Sequence, residues 1–208
     1  MLKASALTYA YNGQTPLAFP DVNCPQGEHW LLLGQSGSGK TTLLHLLAGL
    51  RTPKTGSVLV GDTDIVKLRS SKLDKFRGDN IGIVFQVPHF VRSLNVEDNL
   101  ALTQSLSGKK VDRQKINHLL ERLSIGHKAK SSTNSLSQGE QQRAAIARAL
   151  VNDPVIILAD EPTSALDDQN TTQVIDLLEE QASAANATLL VVTHDTRLKE
   201  RFHKQITI

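Results

Sequence analysis

The sequence contains one cysteine, Cys24, so no internal disulfide and no cysteine-only metal cluster can form, and nothing in it calls for an oxidising compartment. Long apolar runs are missing too. The longest uninterrupted ones, Val155 to Ala159 and Leu189 to Val192, are a fraction of the roughly 20 residues that cross a bilayer. The opening residues, Met1-Leu2-Lys3-Ala4-Ser5-Ala6-Leu7-Thr8, carry one basic side chain and no apolar stretch of signal-peptide length, so export of the chain is not expected. Nor does one charge dominate. Lys plus Arg number 23 and Asp plus Glu 21, a net charge of +2, far from the single-sign field of a dedicated nucleic-acid binder. The expectation is a cytosolic protein with no nucleic-acid partner. What is present, 208 residues with 39% hydrophobic and 21% charged, is ordinary globular material for one generous domain.

Short apolar segments recur at Trp30 to Leu33, Val58 to Val60, Ile81 to Phe85, Val155 to Ala159 and Thr188 to Val192, with a last one at Gln205 to Ile208. Runs with apolar residues at consecutive positions suit strands covered on both faces, as in a parallel sheet. Helical spacing lies between them, at Thr42 to Leu50, Gln138 to Val151 and Thr171 to Ala185. The fold class is therefore α/β with a mainly parallel core sheet. Residues 87–135 read differently: they lack a convincing buried strand, and Val96 to Leu106 and Asp112 to Leu123 have helical spacing around a Gly108-Lys109-Lys110 break. The expected organisation is a single domain over 1–208, with a core of 1–86 and 136–208 and an inserted helical subdomain at about 87–135. The chain stops soon after its last strand-like segment, so no appended regulatory domain is expected.

Gly34-Gln35-Ser36-Gly37-Ser38-Gly39-Lys40-Thr41 matches G-x-x-x-x-G-K-[ST], with a strand before it and a helix after it. Its glycines let successive backbone N–H groups turn inward on an anion, and the following helix adds its positive N-terminal end. Lys40 then reaches terminal phosphates and the Thr41 hydroxyl can ligate Mg²⁺. A plain glycine turn before a helix is the competing reading. Val155-Ile156-Ile157-Leu158-Ala159-Asp160-Glu161 delivers two carboxylates at the C-terminal end of an apolar strand, the end at which open parallel sheets bind ligands. Asp160 can face the Mg²⁺ water shell and Glu161 a water attacking a γ-phosphate. Two solvated acids closing a strand is the plainer alternative.

Leu136-Ser137-Gln138-Gly139-Glu140-Gln141-Gln142-Arg143 resembles the signature motif of ABC ATPases, and Asp160-Glu161-Pro162-Thr163-Ser164-Ala165-Leu166-Asp167 resembles their Walker B segment and D-loop. Val191-Val192-Thr193-His194-Asp195 is similar to their switch-histidine loop, Phe85-Gln86 to their Q-loop, and Tyr11 falls where the family's adenine-stacking aromatic usually stands. The resemblance covers essentially the whole chain, in order. It implies an ATPase with ATP and Mg²⁺ as cofactors, working as a C2 or pseudo-symmetric dimer that sandwiches two ATP molecules beneath separate membrane permease subunits. It also implies a place in the cytoplasm, peripheral on the inner face of the cell membrane.

The resemblance implies residue roles as well. Tyr11 stacks on adenine, although a half-buried turn residue beside Asn12-Gly13 is the alternative. Gly34, Ser36, Gly37, Ser38, Gly39, Lys40, Thr41 and Thr42 hold phosphates and metal, and Asp160 serves the metal. Gln86 senses the γ-phosphate and metal site, and Glu161 is the general base. His194 contacts the γ-phosphate and orients water, the alternative being a satisfied core histidine. Ser137 and Gly139 act in trans, and Asp167 organises the dimer interface. Gln138 and Glu140 depart from the commonest signature, and Glu140 adds negative charge near a phosphate site. The Gly139-Glu140 pair and the Leu198 to Ile208 ending resemble the lipoprotein-releasing, macrolide-exporter and cell-division branch, although Ser164-Ala165 differs from the D-loop common there. That branch leans toward export or lipid-anchored cargo, with a non-transporting mechanical regulator as the alternative. Two basic stretches, Lys67 to Arg77 and Lys109 to Lys130, read either as neighbours of an anionic leaflet or as solvated helix faces. Cys24 reads as a small structural residue.

Overall fold

The computed structural model spans residues 1–208 and describes all but residues 14, 164–167 and 196–197 and the side chains of 168–170. The chain opens with strand β1 (Leu2–Tyr9), against which β2 (Leu17–Ala18) and β3 (Val22–Cys24) pair antiparallel. It then runs through β4 (His29–Leu33), helix α1 (Lys40–Leu47), β5 (Thr55–Val60), β6 (Thr63–Asp64), α2 (Ser70–Asn80) and β7 (Ile81–Val84). Helices α3 (Val96–Leu106), α4 (Arg113–Arg122) and α5 (Gln138–Leu150) follow, then β8 (Ile156–Asp160), α6 (Asp168–Ala184), β9 (Thr188–Thr193) and β10 (Gln205–Thr207).

The strands form two sheets. One is wholly parallel, in the order β10-β4-β9-β8-β7, with Leu31 opposite Val191 and Ala159 opposite both Val191 and Val84. Every residue of β8 and β9 is buried, which explains their unbroken apolar runs: both faces of this sheet are covered. The side-chain period of two then splits each strand between two cores. Leu31, Ile157, Ala159, Leu189 and Val191 face the core shared with α3 to α6. Leu32, Ile156, Leu158, Leu190 and Val192 face the core shared with α1 and the other sheet. Truncating one of them, for example Ile157→Ala, costs about 2–5 kcal/mol because neither side can collapse onto the void.

The second sheet is antiparallel, in the order β2-β1-β5-β6 with β3 also on β1. This corrects the reading of Val58 to Val60 as a strand covered on both faces. Val58 and Val60 are buried against the core while Leu59 is half-buried between them, the alternation of a one-sided strand. Strand β1 shows the same alternation up to a bulge between Ser5 and Thr8, where Ala6 adopts φ 50°. Gly56 lies opposite that bulge with φ 96°, and a Cβ there would meet the carbonyl oxygens of Ser5 and Ala6 at 2.5 and 2.6 Å, so only glycine fits.

Among the described residues, 87–135 contain no strand beyond one isolated bridge between Asn95 and Ser132. Asn95 caps α3 by accepting from the Asp98 amide at 2.8 Å, and Asp112 caps α4 by accepting from the Lys115 amide at 2.9 Å. Gly108, at φ 81°, makes the break between the two helices. Ile116, Leu119 and Leu120 bury one face of α4, joining Val96 and Leu100 of α3 in the core that α5 and α6 also line. The two ends of this segment are tied where the Val96 and Glu97 amides donate to the Ser131 and Ala129 carbonyls. In the second basic stretch several cations are met by carboxylates: Lys109 by Asp79, Arg113 by Glu97 and Asp98, Lys115 by Asp153 and Lys130 by Glu97. Cys24 is fully buried, and that burial pushes its thiol up to about 12, the behaviour of an inert core residue. No helix among the described residues is long and apolar enough to cross a membrane.

Candidate functional site

Parallel pairing fixes where the chemistry gathers. β4, β9, β8 and β7 are neighbours and run the same way, so the segments leaving them emerge along one edge of the sheet. Those segments are the glycine-rich loop after β4, His194 after β9, Asp160 and Glu161 at the end of β8, and Gln86 after β7. They meet at a cavity of about 490 Å³ whose lining includes Tyr11, Ser36, Gly37, Gly39, Lys40, Thr41, Thr42, Gln86, Glu161 and His194, with Leu17 of β2 as an additional wall.

The loop's conformation follows from its glycines. Gly37 and Gly39 have φ 81° and 97°, values that other residues rarely adopt, and Gly39 serves as the left-handed N-cap of α1. Gly34 is needed for space: a Cβ there would lie 2.5 Å from the Ser38 hydroxyl and 2.9 Å from the Ile208 carbonyl oxygen. Gly34 and Ser38 do not line the cavity. Gly34 instead offers its carbonyl to Lys40, and the Ser38 hydroxyl is buried without a hydrogen-bond partner. Lys40 is buried, and its Nζ donates to the carbonyls of Gly34 at 2.9 Å and Gln35 at 3.0 Å, which holds the cation inside the loop.

Thr41 and Asp160 face each other, the hydroxyl donating to Asp160 Oδ1 at 3.4 Å. Burial raises the Asp160 carboxyl above its ordinary range, an effect that the Thr41 hydrogen bond opposes and the neighbouring Glu161 charge reinforces. Among the described residues no group of three or more His, Cys, Asp or Glu could hold a metal unaided. A hydroxyl and a carboxylate, both hard oxygen donors, are a donor set that suits Mg²⁺, which keeps several waters and takes further oxygens from phosphates.

Glu161 follows directly but turns differently. Its φ of 46° is left-handed, strain worth about 1–3 kcal/mol in a residue other than glycine, and it swings the carboxylate back toward the end of β9. There Oε2 accepts from the Thr193 hydroxyl at 2.8 Å, while Oε1 accepts from the His194 amide at 3.1 Å and lies 2.8 Å from His194 Nδ1. The His194 side chain is 60% exposed, which removes the alternative of a core histidine. Thr193 fixes the corner from both sides, since its Oγ1 also accepts from the Asp195 amide at 3.0 Å. Tyr11 lines the cavity from β1's far end, 37% exposed, with its hydroxyl 2.8 Å from Thr42 Oγ1.

Ser137 and Gly139 are not among the residues lining this cavity. They open α5, where Ser137 is the N-cap of a capping box: its amide donates to Glu140 Oε2 at 2.8 Å, and its hydroxyl accepts from the Glu140 amide. The Ser137 backbone hydrogen bond, with Lys128 at 3.3 Å, lowers the Glu140 carboxyl below its ordinary range. The extra negative charge anticipated at Glu140 is therefore met locally. Asp167 and the Ser164-Ala165 pair lie outside the described residues. Sequence reasoning missed Thr193 as a partner of Glu161, Leu17 as a cavity wall, and Arg51, whose guanidinium lies 5.1 Å from the Tyr11 ring centroid.

A cavity so built on the C-terminal edge of a parallel sheet defines a P-loop nucleotide site. Residues 19–164, more than half of the chain, match the ABC transporter family model. The chain is 38% identical over 186 residues to the lipoprotein-releasing system ATP-binding protein LolD of Pseudoalteromonas translucida, covering 88% of this chain and 80% of that one. It is 40% identical over 174 residues to LolD of Buchnera aphidicola subsp. Schizaphis graminum, covering 83% and 76%. Its fold matches the ATP-binding cassette MJ0796, solved as a dimer in a post-hydrolysis state with ADP and Pi, at TM-score 0.89 and 32% identity over 100% of this chain and 94% of that one. It also matches cbiO1 from Clostridium perfringens, part of the ABC transporter complex cbiONQ, at TM-score 0.81 and 31% identity over 93% and 78%. The chain belongs to the ABC transporter family, as an ATP-binding and ATP-hydrolysing subunit.

Proposed function

We propose that two copies of this chain close head to tail on two ATP molecules, each bound by the P-loop of one copy and by Ser137 and Gly139 of the other. The observation that carries this reading is the separation of the two anion-binding helix starts: the P-loop lines the cavity with Glu161 and His194, whereas the α5 start does not. A second copy related by a two-fold axis would complete the site, and the dimeric state of the MJ0796 cassette supports that arrangement.

Within each site, Lys40 and the loop amides bind the phosphates, and Thr41 and Asp160, with Gln86 nearby, would hold Mg²⁺. When bound there, the ion would supply neutralisation of the negative charge on the phosphates. Glu161 takes a proton from the attacking water, and His194, held against the same carboxylate, orients that water and contacts the γ-phosphate. Tyr11 stacks on the base. Organisation of the dimer interface by Asp167 belongs to the same reading.

Membrane permease subunits are the proposed partners, placing the chain on the inner face of the cell membrane, with 87–135 as a helical subdomain that bears on them. A cavity of about 470 Å³ between α2, β7, α3 and α5 supports this: it is lined by Phe85, one residue from Gln86, and by Arg77, His89, Leu106 and Arg148, with Leu106 78% exposed. Similarity to the LolD proteins favours the release of lipid-anchored cargo.

The shared site is tested by mixing variants. Lys40→Ala and Ser137→Ala each disable both sites of a homodimer. In a mixed dimer, sites shared across the interface leave one intact, so an equimolar mixture regains up to about a quarter of wild-type ATPase activity. If Ser137 serves its own chain's P-loop, mixing restores nothing and the reading fails.

A further inference from the structure

Tyr11 is held by a neighbour that no motif announces. Arg51 stands four residues beyond α1, where its amide donates to the His45 carbonyl at 3.2 Å. Its Nη1 donates to the Tyr9 hydroxyl at 2.8 Å, and its guanidinium carbon lies 5.5 Å from the Tyr9 ring centroid and 5.1 Å from that of Tyr11. The two rings meet edge to face, centroids 5.1 Å apart at 86°. At its other end the Tyr11 hydroxyl is 2.8 Å from Thr42 Oγ1, on the helix that begins the phosphate site. Among the described residues Arg51 forms no ion pair with a carboxylate, so its charge is spent on the two rings.

The consequence is a fixed ring. A tyrosine next to Asn12-Gly13 would otherwise sample several rotamers and lose that freedom whenever a base stacked on it. With Arg51 against the ring and Thr42 at the hydroxyl, much of that ordering precedes binding.

We propose that Arg51 is a positioning residue for nucleobase recognition, its guanidinium clamping Tyr9 and Tyr11 together so that Tyr11 is a preformed stacking platform for the purine of a nucleoside triphosphate. This rests on the reading of Tyr11 as the base-stacking residue. Arg51 acts through Tyr11 and not on the phosphates, so its effect vanishes for a ligand without a base and in a chain without the tyrosine ring.

The test measures ATP and inorganic tripolyphosphate affinities, with Mg²⁺, for the full chain and for Arg51→Ala, Arg51→Lys, Tyr11→Ala and the Arg51→Ala/Tyr11→Ala double variant. Arg51→Ala weakens ATP roughly three- to tenfold, raises KM for ATP by the same factor with kcat maintained, and leaves tripolyphosphate affinity unchanged, which also reports an intact P-loop. Arg51→Lys recovers only part of the loss, because an ammonium lacks the planar fork. In the Tyr11→Ala background, Arg51→Ala adds nothing. Equal weakening of ATP and tripolyphosphate would make Arg51 a plain phosphate-attracting cation and overturn the proposal. So would full additivity with Tyr11→Ala, or an unchanged ATP affinity in Arg51→Ala. If Tyr11→Ala itself leaves ATP affinity unchanged, the base-stacking reading of Tyr11 fails first and the role of Arg51 falls with it.

Discussion

Glu161 Oε1 lies 2.8 Å from His194 Nδ1 and accepts the His194 amide at 3.1 Å, so one carboxylate oxygen holds both the ring and the backbone of the residue that closes β9. Two adjacent strands thereby present a carboxylate and an imidazole as one unit. The other oxygen is held by Thr193 at 2.8 Å, which leaves the carboxylate little rotational freedom.

Thr193→Val removes that second anchor while preserving the strand. The expected outcome is a fall of about tenfold in kcat, as positioning of the proposed general base Glu161 is lost, with ATP affinity unchanged. Steady-state ATPase kinetics beside equilibrium ATP binding make the check. A drop in affinity equal to the drop in rate would place Thr193 in binding.

Asp160 is buried, and its carboxyl is raised, so its ionised form is unfavourable in the folded chain. Between the unfolded and folded values the folded state binds more protons, and stability falls as pH rises through that window. Asp160→Asn should therefore raise the melting temperature of the nucleotide-free chain at neutral pH. The same variant loses Mg²⁺-dependent ATP hydrolysis. Thermal melts with and without Mg²⁺ and ATP separate the two effects, and a lower melting temperature for the variant would contradict the burial cost.

Glu140 gives the opposite pH signature. Its carboxyl is lowered by the Ser137 amide and Lys128, so between its folded value and the reference value of 4.5 the unfolded state binds more protons. Its contribution is complete above the reference value and is lost as pH falls through the folded one. The melting-temperature gap between the wild-type chain and Glu140→Ala should therefore be constant at neutral pH and close under acid conditions. A gap independent of pH would mean that the carboxylate charge contributes nothing.

Much of this arrangement is legible in the residues themselves. β8 and β9 are covered on both faces, so Ile156 to Ala159 and Leu189 to Val192 read as unbroken apolar runs, and the strand ends that carry Asp160, Glu161 and His194 follow. β1 is not legible, because the bulge at Ala6 resets its alternation half-way along. Helix α2 buries none of its residues, so no apolar stripe marks it. The phosphate loop is visible because glycine spacing is a backbone requirement. The clamp of Arg51 on Tyr9 and Tyr11 is not, since it depends on α1 and the end of β1 coming together in space, and no local pattern records that. Likewise, the pairing of Glu161 with Thr193 appears only once the left-handed turn at Glu161 is known.

In the proposed function Glu161, positioned by Thr193 and His194, activates water in an ATP site closed by a second copy of the chain. Single-turnover ATP hydrolysis by Glu161→Gln, measured together with sedimentation in ATP, tests it most directly. The expected result is hydrolysis slowed by roughly 10² or more, with ATP still bound and the chain held as a dimer. Near-normal turnover, or a chain that remains monomeric with ATP bound, would contradict it.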